Sequence, residues 1–373
     1  MEEKRCKRCI LPETFPGISF DDKGICNYCN QAKSDNTNEK TDLLGKEKLL
    51  EIIKSAKKES EYDCVVPLSG GKDSVYVLYY AVKELGLKPV AVTYSSGYQT
   101  QMALDNIQNA CKTLNVPCVI DKANKKIQDK LLKDSLIISK ILGSFVLTCL
   151  SCGTLIKAIP IKVAKQKKIP FILFGDSVRE SVRLMKLKQK MGDANYKNVR
   201  ADSFKVRITE RLAKLKEVNM TPLKFVRILP RLLHYRILTT YQLLLLGLPF
   251  KLAINPKLGI KLKKDDPQML HFYDYVDWDP VKDLSILENE LSWKHPPDRK
   301  SRFDCVLNCF GSYDALRKSG VSGNGIIASN LIREGLLSRE EALKAEKLCR
   351  ETAEKDCGDI IKKLGIDDYD LSD

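Results

Sequence analysis

The stretch Val65-Val66-Pro67-Leu68-Ser69-Gly70-Gly71-Lys72-Asp73-Ser74 gathers the groups that hold a phosphate. Two adjacent glycines let the backbone take φ > 0 and turn successive N–H groups toward one point. Ser69 and Ser74 add hydroxyl donors and Lys72 adds a positive charge. The apolar-periodic run that follows, Val75 to Tyr80, sets a helix N-terminus and its dipole at the same place. The result is an anion cradle between a strand and a helix. The G-x-x-x-x-G-K-[ST] spacing is absent, so the cradle is not a Walker A loop. The plainer alternative is an ordinary Gly-Gly turn.

Cysteines supply the second chemistry. Cys6-x-x-Cys9 and Cys26-x-x-Cys29 are separated by sixteen residues, the spacing of a zinc ribbon or knuckle. Each pair puts two thiolates on one tight turn, and two turns close a tetrahedron. Four sulfurs leave no open position, so a Zn2+ ion there is structural; the alternative is four unligated thiols. Cys149-Leu150-Ser151-Cys152 precedes a helical pattern, and Asp304-Cys305 and Cys309 follow much later.

The elements that position these groups come from the periodicity. A strand is expected over 63–68, a helix over 73–86, a strand over 89–94, a helix over 100–114 and a strand over 117–121. A helical stretch covers 124–142, a helix 153–167, and a buried strand 170–176. Strands alternating with helices predict an α/β fold, a doubly wound parallel sheet covered on both faces. Ligands in such sheets bind beyond the carboxyl ends of the strands. That rim would carry residues 69–74, Tyr94, Ser95, Ser96, Asp121, Gly175 and Asp176. Asp73 could assist a Mg2+ ion bridging phosphates, with Asp176 and Glu180 as a second acidic contact. Pairing of those last two with Arg179 or Arg183 is the alternative.

The flanks read differently. Residues 1–35 form a zinc-ribbon-like module, 36–61 a polar linker and an exposed helix, 62–180 the nucleotide core, 181–265 a basic leucine-rich helical insertion, and 266–373 an acceptor-side and C-terminal helical region. The uncharged run 237–250 is too short to span a bilayer and contains Pro249. Segment 220–254 is read as a lid or subunit contact, or as an interfacial segment on an acidic membrane face. Residues 266–300, rich in aromatics, acids and prolines, are expected to be a loop with short elements. Helices are expected over 324–334 and 338–355, the latter with Ser338 and Glu341 as a capping box.

The whole chain sets outer bounds. Its 373 residues, 43% of them hydrophobic, suffice for one large domain with attachments or for two domains. A net charge of +15 favours anionic partners such as nucleotides, nucleic acid or an acidic membrane. Thirteen cysteines, an odd number with several in C-x-x-C pairs, suit metal or redox chemistry in a reducing compartment better than a disulfide scaffold. The charged residues before Cys6 lack the apolar core of a signal peptide, so a cytoplasmic location is expected.

Ser69-Gly70-Gly71-Lys72-Asp73-Ser74 resembles the loop of the PP-loop ATP pyrophosphatase superfamily, whose members split ATP between its α and β phosphates. Cys6-x-x-Cys9-x-x-Pro12-x-Thr14-x-Pro16-Gly17-Ile18-x-Phe20-Asp21-x-x-Gly24-x-Cys26-x-x-Cys29 resembles the opening of the N-acetyl sugar amidotransferases. Tyr62-Asp63-Cys64-x-x-Pro67, Ile169-Pro170-x-Ile172-x-x-Gly175 and Ala328-Ser329-Asn330-x-Ile332-Arg333-x-Gly335 are similar to them too. The resemblance covers 1–95, more loosely 155–180 and 300–345, and not 185–265. It implies that ATP adenylates the acetamido oxygen of a nucleotide sugar or glycan precursor. Ammonia from a glutaminase partner would then displace AMP to give an acetamidino group. Ser69, Gly70, Gly71, Lys72, Asp73, Ser74, Tyr94 and Gly175 would bind ATP, and Lys72, Asp73 and Asp176 would act on it.

Cys149 and Cys152 with Cys305 also resemble the ligand set of iron–sulfur tRNA thiolation enzymes, which share the PP-loop. Three thiolates can hold a [4Fe–4S] cluster with one iron open to sulfur. A single cysteine could instead carry a persulfide, or the thiols could be small buried hydrophobes. Sulfur insertion into tRNA or a small amide is thus the alternative to sugar amidation. A non-catalytic scaffold is a third reading, which the intact cradle opposes.

Overall fold

The computed structural model describes residues 4–34, 43–55, 59–142, 150–175, 221–248, 267–296 and 303–366. Valine-rich β1 (Cys64–Pro67) lies at the centre of a five-stranded sheet in the order β3-β2-β1-β4-β5. The others are β2 (Pro89–Ser95), β3 (Cys118–Lys122), β4 (Phe171–Phe174) and β5 (Gln268–His271). Every pairing is parallel, with Val65 opposite both Val90 and Ile172. The strand order reverses between β1 and β4, and that switch point opens a crevice at their carboxyl ends.

Alternation along the strands builds two cores. Cys64, Val66, Ala91, Phe171 and Leu173 face one buried layer, and Val65, Val90, Val92, Tyr94, Ile172 and Phe174 face the other. A period of two turns successive side chains to opposite faces, which is why these strands read as continuous apolar runs. The first layer is covered by α2 (Lys46–Ser55), α3 (Lys72–Lys83) and α4 (Gln101–Thr113). The second is covered by α6 (Leu150–Gln166). Between them in the chain runs α5 (Lys125–Leu142), and α1 (Asn27–Ser34) precedes them all. Thr100 starts α4 by accepting the Ala103 N–H on its hydroxyl at 3.2 Å.

The long α7 (Pro222–Leu245) begins with Thr221 as cap and Pro222 in its first turn, and it packs along α5. Ile228 meets Ile138 and Leu142, while buried Asp134 of α5 receives Arg231 at 3.3 Å and His234 at 2.6 Å. Of the basic insertion, 181–220 and 249–265 lie outside the described residues. No helix among those described is long and apolar enough to cross a membrane.

Three expectations need correction. Residues 266–300 are expected as a loop with short elements, but the described part, 267–296, holds β5, a 3-10 turn at Phe272–Asp274 and the twelve-residue α8 (Pro280–Leu291). Four residues without a β-branched side chain give β5 no pattern of its own; β4 recruits it, pairing Phe171 with Gln268 through Phe174 with His271. The stretch after 303 also forms α9 (Asn308–Ser319) before α10 (Gly323–Arg333). Finally α11 (Arg339–Lys363) continues past 355, because Cys357, Ile360 and Ile361 stay buried against α9. Its capping box at Ser338 and Glu341 is as expected.

Candidate active site

The turn between β1 and α3 has the form that the glycines require. Gly70 takes φ +84, and Gly71 caps α3 from extended backbone. A β-carbon on Gly70 would lie 2.2 Å from the Ala103 carbonyl oxygen, so only glycine fits beside α4. The Gly71 N–H donates to Ser69 Oγ at 3.2 Å, the Ser69 N–H donates to Ser74 Oγ at 3.2 Å, and the two hydroxyls are 3.3 Å apart. Ser69 is exposed, so this set of donors faces an open mouth. Such an arrangement can accept an anion in place of its internal hydrogen bonds. Gly175, at the end of β4, closes the other side: its β-carbon would be 3.1 Å from the Asp73 carbonyl oxygen.

Lys72 turns inward. Its side chain is 8% exposed, paired with Asp73, and its ammonium lies 5.2 Å above the Trp278 ring. The same indole donates its N–H to Asp73 Oδ1 at 2.8 Å. Beneath them lies fully buried Asp283, which accepts from Tyr273 at 3.3 Å. Burial pushes the Asp283 carboxyl up to about 7, against the Lys72 charge, which lowers it, and with the Asp73 charge, which raises it.

The thiols expected to do chemistry sit farther along the rim. Cys152 is in the first turn of α6 and accepts from Gln128 Nε2 at 3.4 Å; the Gln128 oxygen accepts from Tyr94 OH at 3.3 Å. Cys305 bridges to Gln99, flanked by the Val306 N–H to Tyr98 O bond at 2.9 Å and the Thr100 N–H to Asp304 O bond at 3.1 Å. The Tyr98 phenol donates to Asp129. Its pKa is raised first by burial, then by its bond to Asp129, and further by Cys152 and Cys305. Cys152 packs at the edge of the Tyr94 layer and Cys305 beside Tyr98, and adjacent residues of α5 link the two places, Gln128 bonding to Cys152 and Asp129 accepting from Tyr98 OH.

Tyr94 itself lies in the buried layer over α6, with its hydroxyl on Gln128. Cys149, Asp176 and Glu180 lie outside the described residues. Several participants gave no sequence motif: Trp278, Trp293, Asn106, Asp283 and Asp304. Asp304 Oδ2 would be 3.8 Å from a β-carbon on Gly71, so this carboxylate stands at the cradle. The visible clue was scarcity, since the chain has only two tryptophans.

Cys6, Cys9, Cys26 and Cys29 come together fully buried, all four sulfurs within 4.8 Å of one another. The Cys6–Cys29 and Cys9–Cys26 sulfurs are 3.9 and 3.8 Å apart. A tetrahedron with metal–sulfur bonds of about 2.3 Å has edges of roughly 3.8 Å, so the donor set fits one ion. The backbone N–H groups of Arg8, Cys9 and Cys26 point at Cys6 Sγ, at 3.4, 3.4 and 3.2 Å. The module is clasped by the C-terminal helices: Arg339 donates to the Cys6 and Cys9 carbonyls, and Val321 and Ile326 pack on the sulfurs' apolar surround.

No family model matches the chain. An uncharacterised protein of Methanocaldococcus jannaschii is 31% identical over 119 residues, which are 31% of this chain. That match spans 42% of the relative's own length. Among solved structures, a U34-tRNA thiolase of Methanococcus maripaludis with its [4Fe–4S] cluster aligns over 90% of this chain and 88% of its own. The identity is 14% and the TM-score 0.34. The N-acetyl sugar amidotransferase resemblance finds no counterpart in these matches.

Proposed function

We propose that this chain is an ATP-dependent, AMP-forming enzyme that activates an amide-type oxygen at the 69–74 cradle and replaces it with sulfur handled by Cys152 and Cys305. The observation that carries this reading is the placement of the two cysteines about neighbouring residues of α5, where Gln128 bonds to Cys152 and Asp129 accepts from Tyr98, beside which Cys305 packs. In the first step the acceptor oxygen attacks the α-phosphate and pyrophosphate leaves. Ser69, Ser74 and the Gly71 N–H hold the leaving phosphates, and Lys72 moves from Asp73 to their charge. A Mg2+ ion would screen the same charge, and the carboxylates of Asp73, Asp176 and Asp304 are donors of the type it takes.

In the second step one thiol carries the transferable sulfur as a persulfide. Its terminal sulfur attacks the adenylated carbon, and AMP departs with the oxygen. The other thiol attacks the resulting disulfide and frees the thiolated product. The two cysteines are left as a disulfide, which an external thiol reductant reopens before an external persulfide donor reloads the site. A [4Fe–4S] cluster on Cys149, Cys152 and Cys305 is the other form of this reading. The net charge of +15 favours tRNA over a small amide as the acceptor. Zn2+ at Cys6, Cys9, Cys26 and Cys29 is assigned a structural role.

One observation favours sugar amidation as the second reading. Two of the segments that resemble the amidotransferases touch each other, with Arg333 Nη2 3.7 Å from Cys9 Sγ. Mass spectrometry of the product decides. Exchange of oxygen for sulfur on tRNA, abolished by Cys152→Ser and Cys305→Ser, supports the first reading. Exchange of oxygen for NH on an acetamido sugar, dependent on ammonia and indifferent to both serine variants, replaces it with the second. Iron and sulfide analysis of anaerobically purified protein separates the cluster form from the persulfide form.

A further inference from the structure

Both tryptophans of the chain donate their indole N–H to the cradle turn. Trp278 Nε1 reaches Asp73 Oδ1 at 2.8 Å, and Trp293 Nε1 reaches the Gly70 carbonyl at 3.0 Å. They flank α8, on the segment that follows β5, far in sequence from the turn they serve. Both are buried, at 6% and 3% exposure. We infer that Trp278 and Trp293 are positioning residues that hold the 69–74 turn in its phosphate-accepting form. The inference rests on the nucleotide reading of that turn.

The two act on different parts of it. A trans peptide is planar, so the Gly70 carbonyl and the Gly71 N–H point to opposite sides. Trp293 holds the carbonyl on the buried side, helped by Asn106 Nδ2 at 3.4 Å. The Gly71 N–H is thereby turned to the exposed mouth, where it meets Ser69 Oγ. A glycine with φ +84 has little intrinsic resistance to a peptide flip, so the anchor must come from outside the turn. Trp293 is itself fixed. Its ring packs edge-on to Phe303 at 5.4 Å, and Asn106 clasps the next residue through two hydrogen bonds to Lys294, at 2.7 and 2.9 Å.

Trp278 addresses the charges. Its edge donates to the Asp73 carboxylate while its face receives the Lys72 ammonium at 5.2 Å. One ring thus stabilises both members of the pair, the anion by a hydrogen bond and the cation by the ring quadrupole. Asp279, the next residue, caps α8 by accepting from the Val281 and Lys282 N–H groups, which fixes the backbone that carries the indole. When Lys72 leaves Asp73 for phosphate, the indole N–H still holds the Asp73 carboxylate in place, so the turn keeps its form.

The test uses Trp278→Phe and Trp293→Phe, which keep an aromatic ring and remove the N–H. Calorimetric binding of ATP and of adenosine is compared across the full-length wild type and both variants. Losing one hydrogen bond of about 1 kcal/mol weakens ATP binding about fivefold. Adenosine, which has no phosphate for the turn to hold, should bind as before. A uniform loss for both ligands, or unchanged ATP binding in both variants, overturns the inference. Wild-type protein that binds no ATP overturns the nucleotide reading itself, a result distinct from variants that match a binding wild type. Should a variant fail to fold, wild-type fluorescence remains decisive, because both emitters are bonded to the turn. A saturable change on adding ATP, with the calorimetric midpoint, is expected; unaltered emission at saturation overturns the inference.

Discussion

Arg333 of α10 directs its guanidinium at the sulfur of Cys9, with 3.7 Å between Nη2 and Sγ. A divalent ion in four thiolates leaves two net negative charges in a fully buried site, and this arginine stands where it can balance them. Outer groups of this kind typically change metal affinity by about 10- to 100-fold. With zinc in this site, as proposed, Arg333→Ala should release it to a chromophoric chelator at least about tenfold faster than wild type. Arg333→Lys, which keeps the charge and loses the planar fork, should fall between. Equal release rates in all three proteins would remove the arginine from the metal site.

The anchor of α7 on α5 makes a separate prediction. Asp134 is almost wholly buried, while its partners Arg231 and His234 are each nearly half exposed. Removing the carboxylate strands two donors that can turn to water, so the cost stays below that of a fully buried pair. Asp134→Ala should lower unfolding stability by about 2 kcal/mol, read as a shift in urea midpoint at constant slope. A midpoint within experimental scatter of wild type would mean that the apolar contacts of Ile228 hold α7 unaided.

Much of this architecture was legible because the valine-rich strands and the Ser-Gly-Gly turn carry their meaning locally. Strands buried on both faces read as apolar runs, and glycines at a strand–helix junction signal the turn. The four-cysteine centre was legible for the same reason, since its spacing alone brings two turns together. β5 was not, because Gln268-Met269-Leu270-His271 becomes a strand only through its partner β4. The inward turn of Lys72 was equally hidden: it depends on Trp278 and Asp283, which the fold brings to the loop from far along the chain. α8 did announce itself, through Asp279 as cap and Pro280 in the first turn, ahead of Leu284, Leu287 and Leu291. The aromatic and acidic residues around it masked the signal.

The two glycines of the turn should behave differently on substitution. Gly70→Ala places a side chain at φ +84, costing about 1–2 kcal/mol, and drives it against the Ala103 backbone carbonyl at 2.2 Å. Backbone cannot turn aside as a side chain does, so lower stability and loss of ATP binding are expected together. Gly71→Ala occupies an allowed φ of −74, and its nearest neighbour is the Ser69 hydroxyl at 3.2 Å. That variant should melt close to wild type while binding ATP more weakly. Thermal melting and calorimetry on the pair check both statements, and a stable, ATP-binding Gly70→Ala protein contradicts the turn geometry.

Asp283 should leave its mark on the pH dependence of stability. Burial pushes its carboxyl up to about 7, against an ordinary value of 3.8. The groups around it are Tyr273, which hydrogen-bonds to it, the nearby Tyr76 phenol, and the charges of Lys72, Asp73 and Asp279. Between pH 3.8 and about 7 the folded chain therefore holds a proton that the unfolded chain has released. Folding is then linked to proton uptake, and stability falls as pH rises through that window. The contribution of this group is fully present below the lower value and lost above the upper one. Asp283→Asn removes the titration while keeping a hydrogen-bonding side chain of the same size. The stability of wild type minus that of the variant, from urea unfolding at several pH values, should decline across the window by up to about 4 kcal/mol and level off above it. A difference that stays constant with pH would show that Asp283 is ionised beside Lys72 throughout, and that the Lys72 ammonium has a second anion close by besides Asp73.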